Sequence, residues 1–218
     1  MSNEDFFLSI PKSDLPDLPA ARFPGVVKVI DSCDKVDSAI SDLRCQAIIG
    51  FDTETRPTFR KGQTNDMALM QLSTHQTCYL FRLNKIGIPT ALISLLENPE
   101  IMKVGTSVHD DFHALGRIID FTPENFVDLQ QFVKQYKIAD NSLSRICAIV
   151  FGERISKTQQ KTNWEADELT SAQKAYAALD AYACIRIYEY LKSGAFHPEE
   201  SKYRCYPQPE EESGELSI

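Results

Sequence analysis

The sequence predicts an α/β domain with a mixed central β-sheet flanked by α-helices, and three observations predict it. A chain of 218 residues, 43% hydrophobic and 25% charged, has the composition and length of one globular domain with a full core. Three apolar runs, at 47–54, 68–73 and 77–82, follow one another with short links, the pattern of an antiparallel meander. A further strand-like run at 101–105 arrives after a helical stretch, and such a crossover returns a strand parallel to a neighbour.

Each element has its own local reason. Residues 1–24, rich in Pro, Asp and Ser, read as an N-terminal arm lying on the domain or left mobile. A short strand is expected at 26–30, and Val36, Ile40 and Leu43 recur at helical spacing across 34–44. Pro89 suits a helix's first turn, with Leu92, Leu95 and Leu96 on one face of 89–98. Ser107 followed by Asp110 fits a capping box opening a helix to about 119. A strand at 126–129 and helices at 130–137 and 142–151 follow. Thr170 with Gln173 is another capping box, opening a long helix to about 192. The domain is thus expected at 25–193, with an acidic, disordered tail at 194–218.

Several classes are disfavoured. No run of about 18 apolar residues exists, and the N-terminus lacks the basic start and apolar stretch of a signal peptide, so a cytoplasmic protein without a membrane partner is expected. Six scattered cysteines without a C-x-x-C pair read as reduced thiols, not as disulfides or zinc ligands. The net charge of −8 is unevenly placed: the arm contributes −2, the tail −4 and the middle only −2. Two divalent cations in the middle would make it +2, so global acidity does not exclude a polyanionic substrate.

The motif that carries chemistry is Gly50-Phe51-Asp52-Thr53-Glu54. Alternate strand side chains point to opposite faces, so Asp52 and Glu54 share one face and Thr53 takes the other. Two carboxylates this close raise each other's pKa, and a bound cation is the natural way to keep both ionised. Further along, Tyr176 and Asp180 are four residues apart, on one helix face. Small residues around them (Ala175, Ala177, Ala178, Ala181, Ala183) allow close approach to a sheet.

The order of these pieces, with Val104-Gly105 leading to Asp110-Asp111 between them, resembles the DEDD superfamily of 3′-5′ exonucleases in its tyrosine-bearing, ribonuclease D-like branch. The segments 56–62, 68–72 and 78–83 are most similar to exonuclease domains of the Werner-helicase type within that family. The resemblance covers roughly residues 26–192 and implies a ribonuclease H-like fold. It also implies two divalent cations, Mg²⁺ or Mn²⁺: Asp52 bridges them, Glu54 and Asp180 complete one site, and Asp111 holds the other, partly through water. Tyr176 would orient the attacking water beside Glu54, and Asp110 is left as a capping residue. Catalytic residues are therefore expected at Asp52, Glu54, Asp111, Tyr176 and Asp180.

The implied activity is 3′-5′ exonuclease hydrolysis of a nucleic acid with a free 3′ end, DNA favoured and RNA possible. Arg56, Arg60 and Lys61 after the first motif, and Arg154, Lys157 and Lys161 before the last helix, are expected to contact phosphates. Trp164 is read as a core anchor. With no helicase in these residues, a helicase or other repair partner would act in trans. The alternatives are RNA 3′-end trimming of the ribonuclease D kind and an inactive nucleic-acid-binding scaffold. A scaffold has no need of all five site residues.

Overall fold

A computed structural model describes residues 5–58 and 65–207. In chain order, the first half contains Phe7–Leu8 (β1), Val26–Ile30 (β2), Val36–Arg44 (α1), Ile48–Thr55 (β3), Met67–Ser73 (β4) and Thr77–Phe81 (β5). It continues through Leu83–Ile86 (α2), Thr90–Leu96 (α3), Met102–Gly105 (β6), Val108–Leu115 (α4) and Phe126–Asp128 (β7). Leu129–Phe132 (α5), Leu143–Phe151 (α6), Ser171–Lys192 (α7) and Arg204–Cys205 (β8) complete it.

Six strands form one mixed sheet in the order β2-β5-β4-β3-β6-β7. β3, β4 and β5 are the antiparallel meander, and β2, β6 and β7 join in parallel. The β4–β5 turn is tight because the Thr74 hydroxyl accepts hydrogen bonds from the Gln76 and Thr77 amides. β3 is thereby an interior strand, and both of its faces are covered. Ile49 and Phe51 pack with α1, α3 and α4 on one side, while α7 crosses the other. This is a ribonuclease H-like, three-layer arrangement.

α7 lies unusually close to the sheet at one point. A Cβ on Gly50 would meet the Ala181 carbonyl oxygen at 1.9 Å, so glycine on β3 and alanine on α7 let the two backbones touch. The helix begins as expected: Thr170 accepts from the Gln173 amide, and the Gln173 side chain accepts from the Thr170 amide.

Other expectations are corrected. Ser107 stands at the start of α4 with φ 56°, and its hydroxyl accepts from Gln130 Nε2 at 2.7 Å instead of capping the helix. No capping box forms there, and α4 ends at Leu115. The helix expected at 130–137 is the short α5 followed by a 3₁₀ turn, Val133–Tyr136. At the ends of the chain, β1 pairs with β8, Leu8 and Ile10 are fully buried, and Tyr203 joins the same core cluster. The described part of the arm is therefore fastened to the domain. Residues 194–207, expected as disordered tail, are structured because their apolar side chains have this core to cover. Among the described residues no helix is long and apolar enough to cross a membrane.

Candidate active site

β3 delivers Asp52 and Glu54 to one face, and the Gly50–Ala181 contact brings α7 down so that Asp180 joins them. One carboxylate oxygen from each of the three lies within 4.8 Å of the others. Glu54 is 8% and Asp180 7% exposed, and Asp180 Oδ1 is buried without a hydrogen-bond partner. Burial, and then the neighbouring Asp180, Glu54 and Asp111 charges, push the Asp52 carboxyl well above its usual range. Burial followed by Asp180 and Asp111 raises Glu54 to about 9. Asp180 is raised by burial to about 7, although Tyr176 and Lys157 pull it down.

Asp111 reaches the site from α4 on the other side of β3. Thr53 alternates away from Asp52 and Glu54, and its hydroxyl donates to Asp111 Oδ1 at 2.5 Å. Asp111 is thus held next to the three-carboxylate group but outside it. Burial raises its pKa to about 7 despite that hydrogen bond. Asp110 is exposed on the same helix.

Tyr176 sits one turn before Asp180, 9% exposed, with its phenol raised first by burial and then by Asp180 and Glu54. Its ring packs against Trp164, centroids 6.1 Å apart, and Trp164 is fully buried as a core anchor. The three acids, Tyr176, Thr53 and Lys157 line a cleft of about 270 Å³.

The predicted phosphate-binding residues separate in space. Lys157 faces the cleft, and Lys161 is exposed nearby in sequence. Arg56 pairs with Glu165 at 3.0 Å, tying the segment after β3 to the approach to α7. Arg154 is fastened to the arm and does not line the carboxylate cleft: its Nε donates to the Leu18 carbonyl, and its backbone pairs with Pro19 and Ala21. Arg60 and Lys61 lie outside the described residues.

Sequence reasoning missed the cleft's polar wall. Thr106, Ser107, Gln130, Asn141, Ser142 and Ser144 line it, and Gln130 Nε2 donates to both Ser107 and the Asn141 carbonyl. Polar residues scattered over two helices and the connections around them carry no pattern that would have joined them. Gln71 was missed as well: it pairs across the sheet with Asp52 and is fully buried, with neither amide atom partnered.

The donor set fits divalent cations. Three hard carboxylate oxygens converge with an orphaned buried acceptor, and among the described residues no base is ion-paired to any of them. Unneutralised, the group is costly to keep ionised.

A largely buried carboxylate cluster between the central strand and a crossing helix of a mixed sheet is a site suited to divalent cations, and sequence comparison identifies the class of protein that carries it. Residues 27–194 match the 3′-5′ exonuclease family, and the chain belongs to that family. The bifunctional 3′-5′ exonuclease/ATP-dependent helicase WRN of Mus musculus is 34% identical over 193 residues, covering 84% of this chain and 14% of that protein. A 3′-5′ exonuclease of Arabidopsis thaliana is 28% identical over 190 residues, 80% of this chain and 66% of that protein. The chain therefore spans only part of the length of these relatives. In fold it is similar to the Nibbler EXO domain of Aedes aegypti, with a TM-score of 0.71 at 23% identity over 83% of this chain and 97% of that one. Escherichia coli RNase D gives a TM-score of 0.69 at 23% identity, covering 77% and 44%.

Proposed function

We propose that this chain removes nucleotides from the 3′ ends of DNA, using two divalent cations held by Asp52, Glu54, Asp180 and Asp111. The observation that carries the reading is the convergence of three carboxylates from β3 and α7, Glu54 and Asp180 buried and Asp52 half-buried, with one oxygen of Asp180 unpartnered. When bound, such cations neutralise charge on the phosphodiester and favour ionisation of the attacking water. The chain's own groups do the rest. Thr53 holds Asp111 beside the cluster through its hydroxyl. Lys157, facing the cleft, meets the phosphate's negative charge. Tyr176, whose raised pKa keeps the phenol protonated at neutral pH, donates a hydrogen bond that orients the water beside Glu54. The water oxygen attacks phosphorus, the bond to the 3′ oxygen breaks, and a proton ends on that leaving oxygen.

DNA is favoured by the likeness to the mouse exonuclease/helicase, the highest identity among the relatives described here. A helicase or other repair factor acting in trans fits the same likeness. RNA trimming is the second reading, supported by the cleft's hydroxyl- and amide-rich wall, which offers partners to a ribose 2′-OH, and by fold relatives including a Trypanosoma brucei RNase D complex with RNA. End-labelled DNA and RNA oligomers of one sequence, digested in Mg²⁺ or Mn²⁺, decide between them. Laddering of DNA from the 3′ end ahead of RNA is the expected result. Faster laddering of RNA establishes the second reading, and no cleavage of either defeats both.

A further inference from the structure

Behind the carboxylate cleft lies a second hollow of about 400 Å³, formed where the N-terminal arm and the start of β2 meet the outer face of α7. The two cavities share Tyr176 and are divided by the segment 154–160. Residues of that segment divide between the two: Ile155, Lys157 and Gln160 line the carboxylate cleft, while Arg154, Ser156, Thr158 and Gln159 line the hollow. Its walls are largely apolar, from Phe23, Val27, Ala172, Ala175 and Leu179. Among the described residues, no carboxylate lines it. Its two arginines differ, since Arg154 is occupied by the Leu18 carbonyl, whereas Arg22 is exposed and has no ion pair or side-chain hydrogen bond among the described residues.

An apolar recess with hydroxyls on one side, a free guanidinium at its rim and no acid among the described residues matches a nucleotide: the base enters the recess and a phosphate meets the cation. We propose that this hollow is a subsite for an upstream nucleotide of the single strand whose 3′ end occupies the carboxylate cleft. The inference rests on the exonuclease reading and adds to it how the strand is held. The strand crosses the 154–160 segment, past Lys157 and the exposed Lys161, with Tyr176 as the shared floor of the two sites. It also gives the arm a purpose, because Ala20 to Phe23 build one wall of the recess.

The test reads binding, so it does not depend on hydrolysis. The full chain carrying Asp52→Asn is titrated, in Mg²⁺, against 5′-fluorescein oligothymidylates from two to about eight nucleotides long by fluorescence anisotropy. Affinity should rise steeply once the strand is long enough to reach the hollow. Adding Ala175→Trp, which fills the recess from an exposed helix position, should weaken the longest oligomer about tenfold and flatten the length dependence. Adding Arg22→Glu, on a different element, should do the same, with thermal melts by circular dichroism confirming that both variants fold. If both folded variants bind the longest oligomer as tightly as the Asp52→Asn parent, the hollow is not a nucleotide subsite. Should the wild-type chain cleave neither DNA nor RNA while the length-dependent step survives, the exonuclease reading fails and the strand-binding inference stands.

Discussion

At Asp180, burial works against the charge and raises the carboxyl to about 7, while Tyr176 and Lys157 favour the charged form. Asp180→Asn is therefore expected to abolish hydrolysis while raising the melting temperature of the metal-free protein, because a repelled carboxylate is replaced by a neutral group of the same volume. Activity assays and melts in EDTA check both halves, and an active variant removes Asp180 from the metal site. The adjacent acids of α4 make a sharper pair. Asp111→Asn is expected to inactivate, since Thr53 fixes Asp111 beside the cluster, whereas exposed Asp110→Asn should change stability by less than about 0.5 kcal/mol and leave the rate near wild type. Tyr176→Phe should slow single-turnover cleavage roughly 10- to 10²-fold without weakening Mn²⁺ binding, and an unchanged rate would reduce Tyr176 to a packing residue. The pairings of Asp52 with Glu54 and of Tyr176 with Asp180 were legible because strand and helix periods decide which side chains share a face, whereas their meeting in one cleft was implied only by the family resemblance. The contact of Arg154 with the Leu18 carbonyl was not legible, because it is made by an arm that docks from more than a hundred residues away. Gln71 was hidden for the opposite reason: one amide in an apolar strand reads as ordinary patterning until its missing partners are seen.

At the scale of elements, the site depends on how closely α7 approaches β3. Gly50→Ala would place a methyl group 1.9 Å from the Ala181 carbonyl oxygen and 2.7 Å from its carbon, and backbone cannot yield as a side-chain tip can. Destabilisation of about 2 kcal/mol or more is expected. A larger fall in cleavage rate should accompany it, since separating strand from helix parts Asp52 and Glu54 from Asp180. Denaturant melts and initial rates measure the two effects, and a variant as stable and active as wild type would deny that this contact sets the geometry. The long helix itself was readable from sequence because its Thr170–Gln173 box is closed within four residues. The similar pattern at Ser107 misled because a local motif cannot report a left-handed backbone or a tertiary partner: the Ser107 hydroxyl is engaged by Gln130, from an element twenty-three positions away. The meander and the parallel return followed from link lengths, whereas the short α5, and which residues of the arm dock, depended on packing that no local pattern encodes.

For the whole molecule, the carboxylate cluster couples folding to pH and to cations. Asp111 and Asp180 titrate at about 7 and Glu54 at about 9 when folded, against ordinary values near 4, so the folded state binds protons more tightly than the unfolded chain. For acids raised in this way, the stabilising contribution is complete below the unfolded pKa and is lost as pH climbs through the folded values. The metal-free protein should accordingly melt at progressively lower temperature between pH 5 and pH 9. Asp31, Asp42 and Glu153 have lowered pKa values, and their opposite trend is confined to more acidic solution. Divalent cations take the protons' place in neutralising the cluster, so saturating Mg²⁺ or Mn²⁺ should restore most of the loss at pH 9 and little at pH 5. Calorimetric melts at the two pH values, with EDTA or with Mg²⁺, read the four corners of this cycle. The same series on Glu54→Gln assigns the effect to the cluster, because the variant should lose part of the pH dependence and part of the Mg²⁺ response together. A wild-type melting temperature that is flat with pH in EDTA, or a cation effect equal at both ends, would mean that these acids are not poised against one another and that cation binding does not relieve them.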